Sequence, residues 1–323
     1  MRPINTLCRL CGGSIDTTAA VREMMFGTRE PFDYHHCGHC GCWQIADYPG
    51  DMSRHYPTGY LSHVDHSGKP VSALKNWQRR QRARYDLLGT GVIGKWLSRW
   101  RGPLQFGAEW MQGFNLDFNS RILEFGCGLG GRLHELRDVG FTNLTGQDAF
   151  AIPAVSDRAG IQWTSQPLSA IAGPYDWIEA HHAFEHMPFQ NDVMQQLHRL
   201  LRPGGGLTLR VPLSDSEPVS RFGTHWVQWD APRHFYLHTR RSLTMLAEHH
   251  GFASTRVIEE GHPFGFWGSW LYEQDIALLD PRIQQNGVQS LVPEALWQQF
   301  IHDNAVANSN ARGDQAVFVF RRL

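Results

Sequence analysis

An apolar run, Ile122-Leu123-Glu124-Phe125, breaks directly into Gly126-Cys127-Gly128-Leu129-Gly130-Gly131 and then into a helical pattern that lasts to Val139. A strand that turns into a helix through glycines admits positive φ and lets backbone N–H groups approach a ligand closely. The string therefore predicts a nucleotide-type cofactor cradle on a parallel α/β sheet. It is written in two dialects at once: Gly126, Gly128 and Gly131 fit GxGxxG, and Glu124, Gly126, Gly128 and Gly130 fit ExGxGxG. Asp148 ends a second short strand, Leu144 to Gln147, about twenty residues on, where a carboxylate can accept both hydroxyls of a ribose.

The remaining pattern extends that sheet. Tyr175 to Ala180, Leu207 to Val211, Ser254 to Ile258 and Gln315 to Arg321 read as strands. A helix stops at Leu201 before Arg202-Pro203-Gly204-Gly205-Gly206, and another runs from Arg240 to His250 and ends at Gly251. Alternation of this kind predicts a doubly wound α/β sheet over 120–323. The stretch Gly261 to Gly313, roughly fifty residues, is too long for a plain connection. Its aromatic cluster, including Phe264, Phe266, Trp267 and Trp270, is expected to fold over the crevice as a wall or lid, with Gly265 and Gly268 interrupting any helix there. Upstream, Val71 to Leu88 predicts a helix with Leu74, Trp77, Gln81 and Tyr85 on one side and arginines on the other. Nine basic residues and one acidic one between Lys69 and Gly102 read as a solvated face ahead of a phosphate-binding patch.

Three further strings follow the glycine loop in order: Tyr175-Asp176-Trp177-Ile178, then His181-His182-Ala183-Phe184-Glu185-His186-Met187, then Leu197-His198-Arg199-Leu200-Leu201-Arg202-Pro203-Gly204-Gly205. Together they resemble the fourth strand, following helix and fifth-strand entry of class I S-adenosylmethionine-dependent methyltransferases, over about Ser120 to Leu323. The resemblance decides against the nicotinamide dehydrogenase that the glycines alone would also allow. It implies a Rossmann-like methyltransferase sheet with S-adenosyl-L-methionine as cofactor. Glu124 would face the methionine amino end, Gly126, Cys127, Gly128 and Gly130 would line the cofactor, Asp148 would bind ribose, and His181 and His182 would border the same site. Cys127 reads as a small loop residue rather than a nucleophile, because the pyrimidine C5-methylating enzymes carry a Pro-Cys pair and none occurs here.

His182-Ala183-Phe184-Glu185-His186 also matches the H-x-x-E-H signature of a zinc peptidase class. A peptidase would leave the glycine loop and the Arg-Pro-Gly-Gly turn unexplained. Some ubiquinone-pathway and small-RNA O-methyltransferases resemble this chain but carry ExxEH and a distant His, where this chain has His182 in place of the first Glu. A cation held by Glu185, His186 and His234 would on that donor set be zinc rather than magnesium; the alternative is that Glu185 and His186 cap and pack a helix. In the segment Trp226 to His238, Asp230-Ala231-Pro232-Arg233-His234 resembles Asp-x-Pro-Arg-His strings of bacterial methyltransferases found with polysaccharide and lipid genes. The expected catalytic residues are thus His234, as general base, with His186 and Glu185. Arg233 could pair a substrate phosphate or pin the loop through Asp230.

Five of the six cysteines lie in the first 42 residues. Cys8-Arg9-Leu10-Cys11 and Cys37-Gly38-His39-Cys40 have the spacing of two knuckles around one tetrahedral zinc, a structural ion that folds a segment too small for its own core. Cys42, His35, His36 and His39 are possible substitutes for a ligand. The arrangement resembles the N-terminal zinc module of sugar C-methyltransferases acting on nucleotide-linked deoxysugars, without their large C-terminal domain. The organisation expected is a zinc-ribbon module over 1–48, a linker and basic helical lead-in over 49–119 that begins with the loop Tyr48 to Pro70, and a methyltransferase domain over 120–323 with an insertion at about 261–313.

The start of the chain lacks the apolar core of a secretory signal, so a cytoplasmic location with reduced thiols is expected. No run reaches the ~18 consecutive apolar residues of a membrane span. Thirty Lys and Arg against thirty-one Asp and Glu leave a net charge of -1, which supplies no global field for nucleic acid. The expected function is O- or C-methylation of a small-molecule or glycan/lipid-type acceptor. The alternatives are an RNA methyltransferase whose zinc ribbon binds substrate and a non-catalytic cofactor-binding protein.

Overall fold

A computed structural model describes residues 7–56, 72–149 and 160–323. Three strands open the chain, β1 (Ile15–Arg22), β2 (Pro31–Cys37) and β3 (Trp43–Ile45), followed by helices α1 (Ala73–Leu88), α2 (Val92–Arg101) and α3 (Ala108–Met111). The alternating part comprises β4 (Arg121–Phe125), α4 (Gly131–Val139), β5 (Asn143–Gln147), β6 (Ile161–Thr164), β7 (Tyr175–His181), α5 (Gln190–Leu200) and β8 (Leu201–Pro212). Then come α6 (Glu217–Phe222), β9 (Tyr236–Leu237), α7 (Arg240–His249), β10 (Phe252–Glu259), α8 (Phe264–Glu273), α9 (Pro281–Asn286), α10 (Glu294–Ser309) and β11 (Gln315–Arg322). The rear of the Tyr48 to Pro70 loop, from residue 57, and Val71 at the expected start of α1 lie outside the described residues. Among the described residues no helix is long and apolar enough to cross a membrane.

The seven-stranded sheet has the order β10-β11-β8-β7-β4-β5-β6, a mostly parallel, Rossmann-like α/β sheet. Strands β6, β5, β4, β7 and β8 are parallel, and β11 runs antiparallel between β8 and β10. The central strands are apolar on both faces because helices cover both. One core packs α5 and α7 against the sheet, and the other packs α4 and the lead-in around Phe106, Trp110 and Phe114. Helix α5 shows how the sequence selects the face: Gln190, Met194, Leu197 and Leu200 recur at helical spacing and are buried.

Three local expectations change. The Arg202-Pro203-Gly204-Gly205-Gly206 turn lies within β8, where pairing jumps from Tyr175↔Leu201 to Trp177↔Gly206. A Cβ on Gly206 would stand 2.1 Å from the Trp177 ring, so the glycine is needed for the strands to meet. Gly265 and Gly268 do not interrupt a helix, since α8 runs through both. They let it press on the Asp314 carboxylate and on Val227, and its aromatics form a separate core with α10, in which Trp267 stacks on Trp297. Finally, α1 buries Ala83 and leaves Leu74 and Trp77 exposed, because it pairs with α2 through Gly94, which sits on the Gln81 carbonyl where no Cβ would fit.

The N-terminal strands form a second sheet, β1-β2-β3-β9. Its last strand comes from the far side of the chain: Trp43 pairs with Leu237 and Gln44 with Tyr236. The N-terminal module is thereby stitched to the segment that carries Asp230, Arg233 and His234.

Candidate active site

The glycine loop leaves β4 as the sequence predicts. Gly126, Gly128 and Gly130 all have positive φ, at 68°, 51° and 73°. A Cβ on Gly130 would lie 1.9 Å from the Trp163 ring and one on Gly126 2.4 Å from Ala183, so the turn closes only with glycine. Asp148 accepts a hydrogen bond from the Gly128 N–H at 2.9 Å, which fixes the carboxylate at the loop. Below it, Glu124 is buried with Oε2 unpartnered, and burial with the nearby Glu179 charge pushes its carboxyl well above the usual range. A buried carboxyl with an unpartnered oxygen, beside glycines open to a ligand, fits the polar end of a cofactor such as S-adenosylmethionine. Cys127 is buried, and its thiol is pushed up by burial and by Glu124, so it is not a thiolate nucleophile.

Residues of the neighbouring strands β7 and β8, with Arg132 of α4, border a cavity of about 930 Å³. His181 lines it, 3.8 Å from Glu179 and tilted on the Trp110 ring at 5.4 Å, and burial lowers its pKa. Arg132 spans Glu179, at 2.9 Å, and Glu135, at 2.8 Å. Its opposite wall is the lead-in segment 103–110 together with Tyr85 and Leu87 of α1. Sequence reasoning missed Trp110, Arg132, Glu179, Arg210 and Glu260. The one usable signal was Glu179, a charge in the middle of an apolar strand.

Beside this cavity two connections converge. His182 leaves β7 with φ 50°, a left-handed conformation that strains a non-glycine residue and turns its ring towards Glu185, Nδ1 3.4 Å from Oε1. Glu185 and His186 lie in the next short turn. That turn is zipped to the 226–238 segment, since the Phe235 N–H donates to the Glu185 carbonyl at 2.8 Å and His186 Nδ1 lies 2.9 Å from the Arg233 carbonyl. His234 Nδ1 is 2.8 Å from the Gln228 carbonyl. Both rings must donate from Nδ1 to these carbonyls, which leaves the Nε2 lone pairs for the interior. The two rings meet edge to face at 4.7 Å, and His234 Nε2 lies 4.0 Å from Glu185 and 3.8 Å from Asp230.

The electrostatics follow from that packing. Burial opposes ionisation of Glu185, but the hydrogen bond from His182 and the charges of His186, His182 and His234 hold its carboxyl down at about 2. Neither of its oxygens has a hydrogen bond of good geometry. Burial and His186 lower His234 to about 4, so its ring is neutral at pH 7 with Nε2 available. The expected catalytic residues His234, His186 and Glu185 are therefore brought together, with ligand-type atoms within 4.8 Å of one another. His182 is outside that group. The peptidase signature, which needs both of its histidines on one helix face, is not realised.

Arg233 does not reach a substrate phosphate. It is fully buried, paired with Asp230 at 2.6 Å and with the buried Glu23 at 3.2 Å. Glu23 follows β1, and Tyr34 of β2 donates through its hydroxyl to the His234 carbonyl at 2.8 Å. The N-terminal module thus braces the segment that carries His234. Glu23→Ala would leave a buried guanidinium short of one carboxylate, and a loss of about 3–5 kcal/mol in urea unfolding is expected. Unchanged unfolding would remove this brace.

The four cysteines gather at the other end of the same module. Cys8 and Cys40 sulfurs are 3.8 Å apart and Cys11 and Cys37 sulfurs 3.6 Å. Thiolates about 2.3 Å from a tetrahedral ion lie about 3.8 Å apart, so the set fits zinc. Cys42 points its sulfur at the Trp43 carbonyl, His35 pairs with Thr18, and His36 pairs with Asp16.

Residues 98–257 match the family described as a methyltransferase domain. No curated protein is matched by the chain. Among solved structures it is similar to an S-adenosylmethionine-dependent methyltransferase from Mesorhizobium loti, at 15% identity over 67% of this chain and 98% of that one, TM-score 0.44. It is also similar to a putative sarcosine dimethylglycine methyltransferase from Galdieria sulphuraria, at 15% identity over 75% and 98%, TM-score 0.47. A third is in the complex between the Haloferax volcanii Trm112 methyltransferase activator and the putative methyltransferase, at 15% identity over 77% and 95%, TM-score 0.45.

Proposed function

We propose that the chain is an S-adenosylmethionine-dependent methyltransferase that methylates a hydroxyl oxygen of a small-molecule or glycan/lipid-type acceptor. One observation carries this reading: a neutral, buried His234 whose Nε2 faces the ionised Glu185 beside the cofactor crevice. Bound S-adenosylmethionine supplies an electrophilic methyl on its sulfonium. The residues of the chain do the rest. Glu124 and the glycine loop hold the methionine end, Asp148 accepts the ribose hydroxyls, and His181 and His182 border the site. His234 Nε2 takes the proton that the acceptor hydroxyl loses as its oxygen bonds to the methyl and the carbon-sulfur bond breaks. Glu185 and Asp230 stabilise the imidazolium formed, and His186 orients the group.

A second reading rests on the unpaired Glu185 oxygens. A buried carboxylate without a well-aligned donor is costly, and a divalent cation between Glu185, His186 and His234 would satisfy it. Loss of turnover on chelation, with the cysteine-bound zinc retained, would favour it over the metal-free base. The zinc of Cys8, Cys11, Cys37 and Cys40 is in this account structural.

Asp148→Ala is expected to weaken S-adenosylhomocysteine binding by about 1–3 kcal/mol, the cost of leaving ribose hydroxyls unpaired, as measured by calorimetry. An unchanged affinity would refute the ribose role. The acceptor class is tested by following S-adenosylhomocysteine release across nucleotide sugars, lipid phenols and RNA. Release on either of the first two is expected. Release on RNA alone would replace this reading with an RNA methyltransferase.

A further inference from the structure

Helix α2 carries its apolar residues on the wrong side for a solvated helix. Gly94, Leu97 and Ser98 are buried, whereas Val92 is 85% exposed, Trp96 62% and Trp100 64%, with Ile93 beside them. Trp96 and Trp100 stack with ring centroids 5.5 Å apart, and the Arg101 guanidinium lies over Trp100 at 4.8 Å. Lys95 and Arg99 interleave with the tryptophans on the exposed side. Leu74 and Trp77 of α1 are exposed as well. Between Ala73 and Arg101 the chain has eight Lys and Arg and one acidic residue, Asp86, although the whole chain has a net charge of -1. Scattered exposed apolar residues need no explanation, but two tryptophans and two aliphatics within little more than two turns of helix, set among cations, do.

We propose that the α1–α2 hairpin docks the protein on an anionic lipid surface. The chemistry is complementary in each part: tryptophan rings sit at the headgroup level, Val92 and Ile93 reach the acyl boundary, and Lys95, Arg99 and their neighbours face lipid phosphates. RNA would engage the cations and the tryptophans but would leave Val92 and Ile93 in water. A second copy of the chain would cover those aliphatics but would bring two cationic faces together. Tyr85 and Leu87 of α1 and the segment following α2 line the 930 Å³ cavity, so a docked hairpin would hold the mouth of that cavity near the bilayer. The docking surface itself does not depend on the acceptor reading, because partition onto vesicles is read without turnover.

The test is co-sedimentation of the full chain with vesicles of phosphatidylcholine alone or with 30% phosphatidylglycerol, at low and high salt. Partition at least tenfold stronger on the anionic vesicles, weakened by salt, is expected. Trp96→Ala with Trp100→Ala should lose tenfold or more of it, and Lys95→Glu with Arg99→Glu should abolish the preference for anionic lipid. S-adenosylhomocysteine affinity and the far-ultraviolet spectrum, unchanged in both variants, exclude misfolding. Absence of partition at low salt, or equal partition by the tryptophan variant, would overturn the proposal. So would retention of a tRNA probe with no vesicle binding, or a tryptophan variant that turns a dimer into a monomer in sedimentation velocity.

Discussion

A His234→Ala enzyme turns over its acceptor about 10²-fold or more slowly than the native chain, while S-adenosylhomocysteine binds as before. The size follows from the role. Removing a positioned base forces the hydroxyl proton into water, and Nε2 is the atom that the fold leaves available once Nδ1 is bound to the Gln228 carbonyl. A merely structural role predicts something different. The brace from Tyr34 ends on the His234 backbone carbonyl, which alanine retains, so the segment keeps its main support in the variant. The loss should therefore fall on kcat, with the acceptor KM changed much less. Because burial and His186 lower His234 to about 4, the ring is neutral from pH 6 upward and its protonation produces no acid limb in that range. Normal kcat for His234→Ala across pH 6 to 9 would eliminate the general base and leave positioning alone.

The second large effect comes from a residue with no contact to any reacting atom. Cys37→Ser is expected to release the zinc, so that metal analysis finds one ion per native chain and none in the variant. Binding of a structural zinc is worth about 10–16 kcal/mol in small metal-dependent modules, and most of the folding free energy of such a module goes with it. In this chain the loss would not stay local. β2 carries both Cys37 and Tyr34, β3 pairs with β9, and Glu23 pairs with Arg233. Unfolding of the module would free the 226–238 segment, so turnover should collapse together with a lower melting temperature. A variant that keeps full activity without zinc would show that the module is not the brace.

Much of the sheet could be read from local pattern, because each strand that turns into a helix through glycine leaves a signature within a few residues. The glycine loop, Asp148 and the strands at Tyr175 and Gln315 depend on neighbours close in sequence. Strand β6 was not read, since Gln162 and Thr164 break its apolar run at a sheet edge. The face of α1 was misassigned for a related reason: periodicity shows which residues share a side, and only the partner helix, through Gly94, decides which side is inward. The proposed site is intermediate. Glu185, His186 and His234 were each legible, but their convergence depends on a left-handed His182 and a zipper between two connections, which no spacing encodes. The pairing of Glu23 with Arg233, 210 positions apart, had no sequence signal at all.

The central claim, methyl transfer to a hydroxyl oxygen, is tested most directly by carbon-13 magnetic resonance of the product formed from S-adenosylmethionine labelled at its methyl. The account predicts that the label appears on an oxygen of a hydroxylated acceptor with the native chain and is reduced about 10²-fold or more with His234→Ala. Label on carbon or nitrogen, or equal labelling by the two proteins, would contradict it.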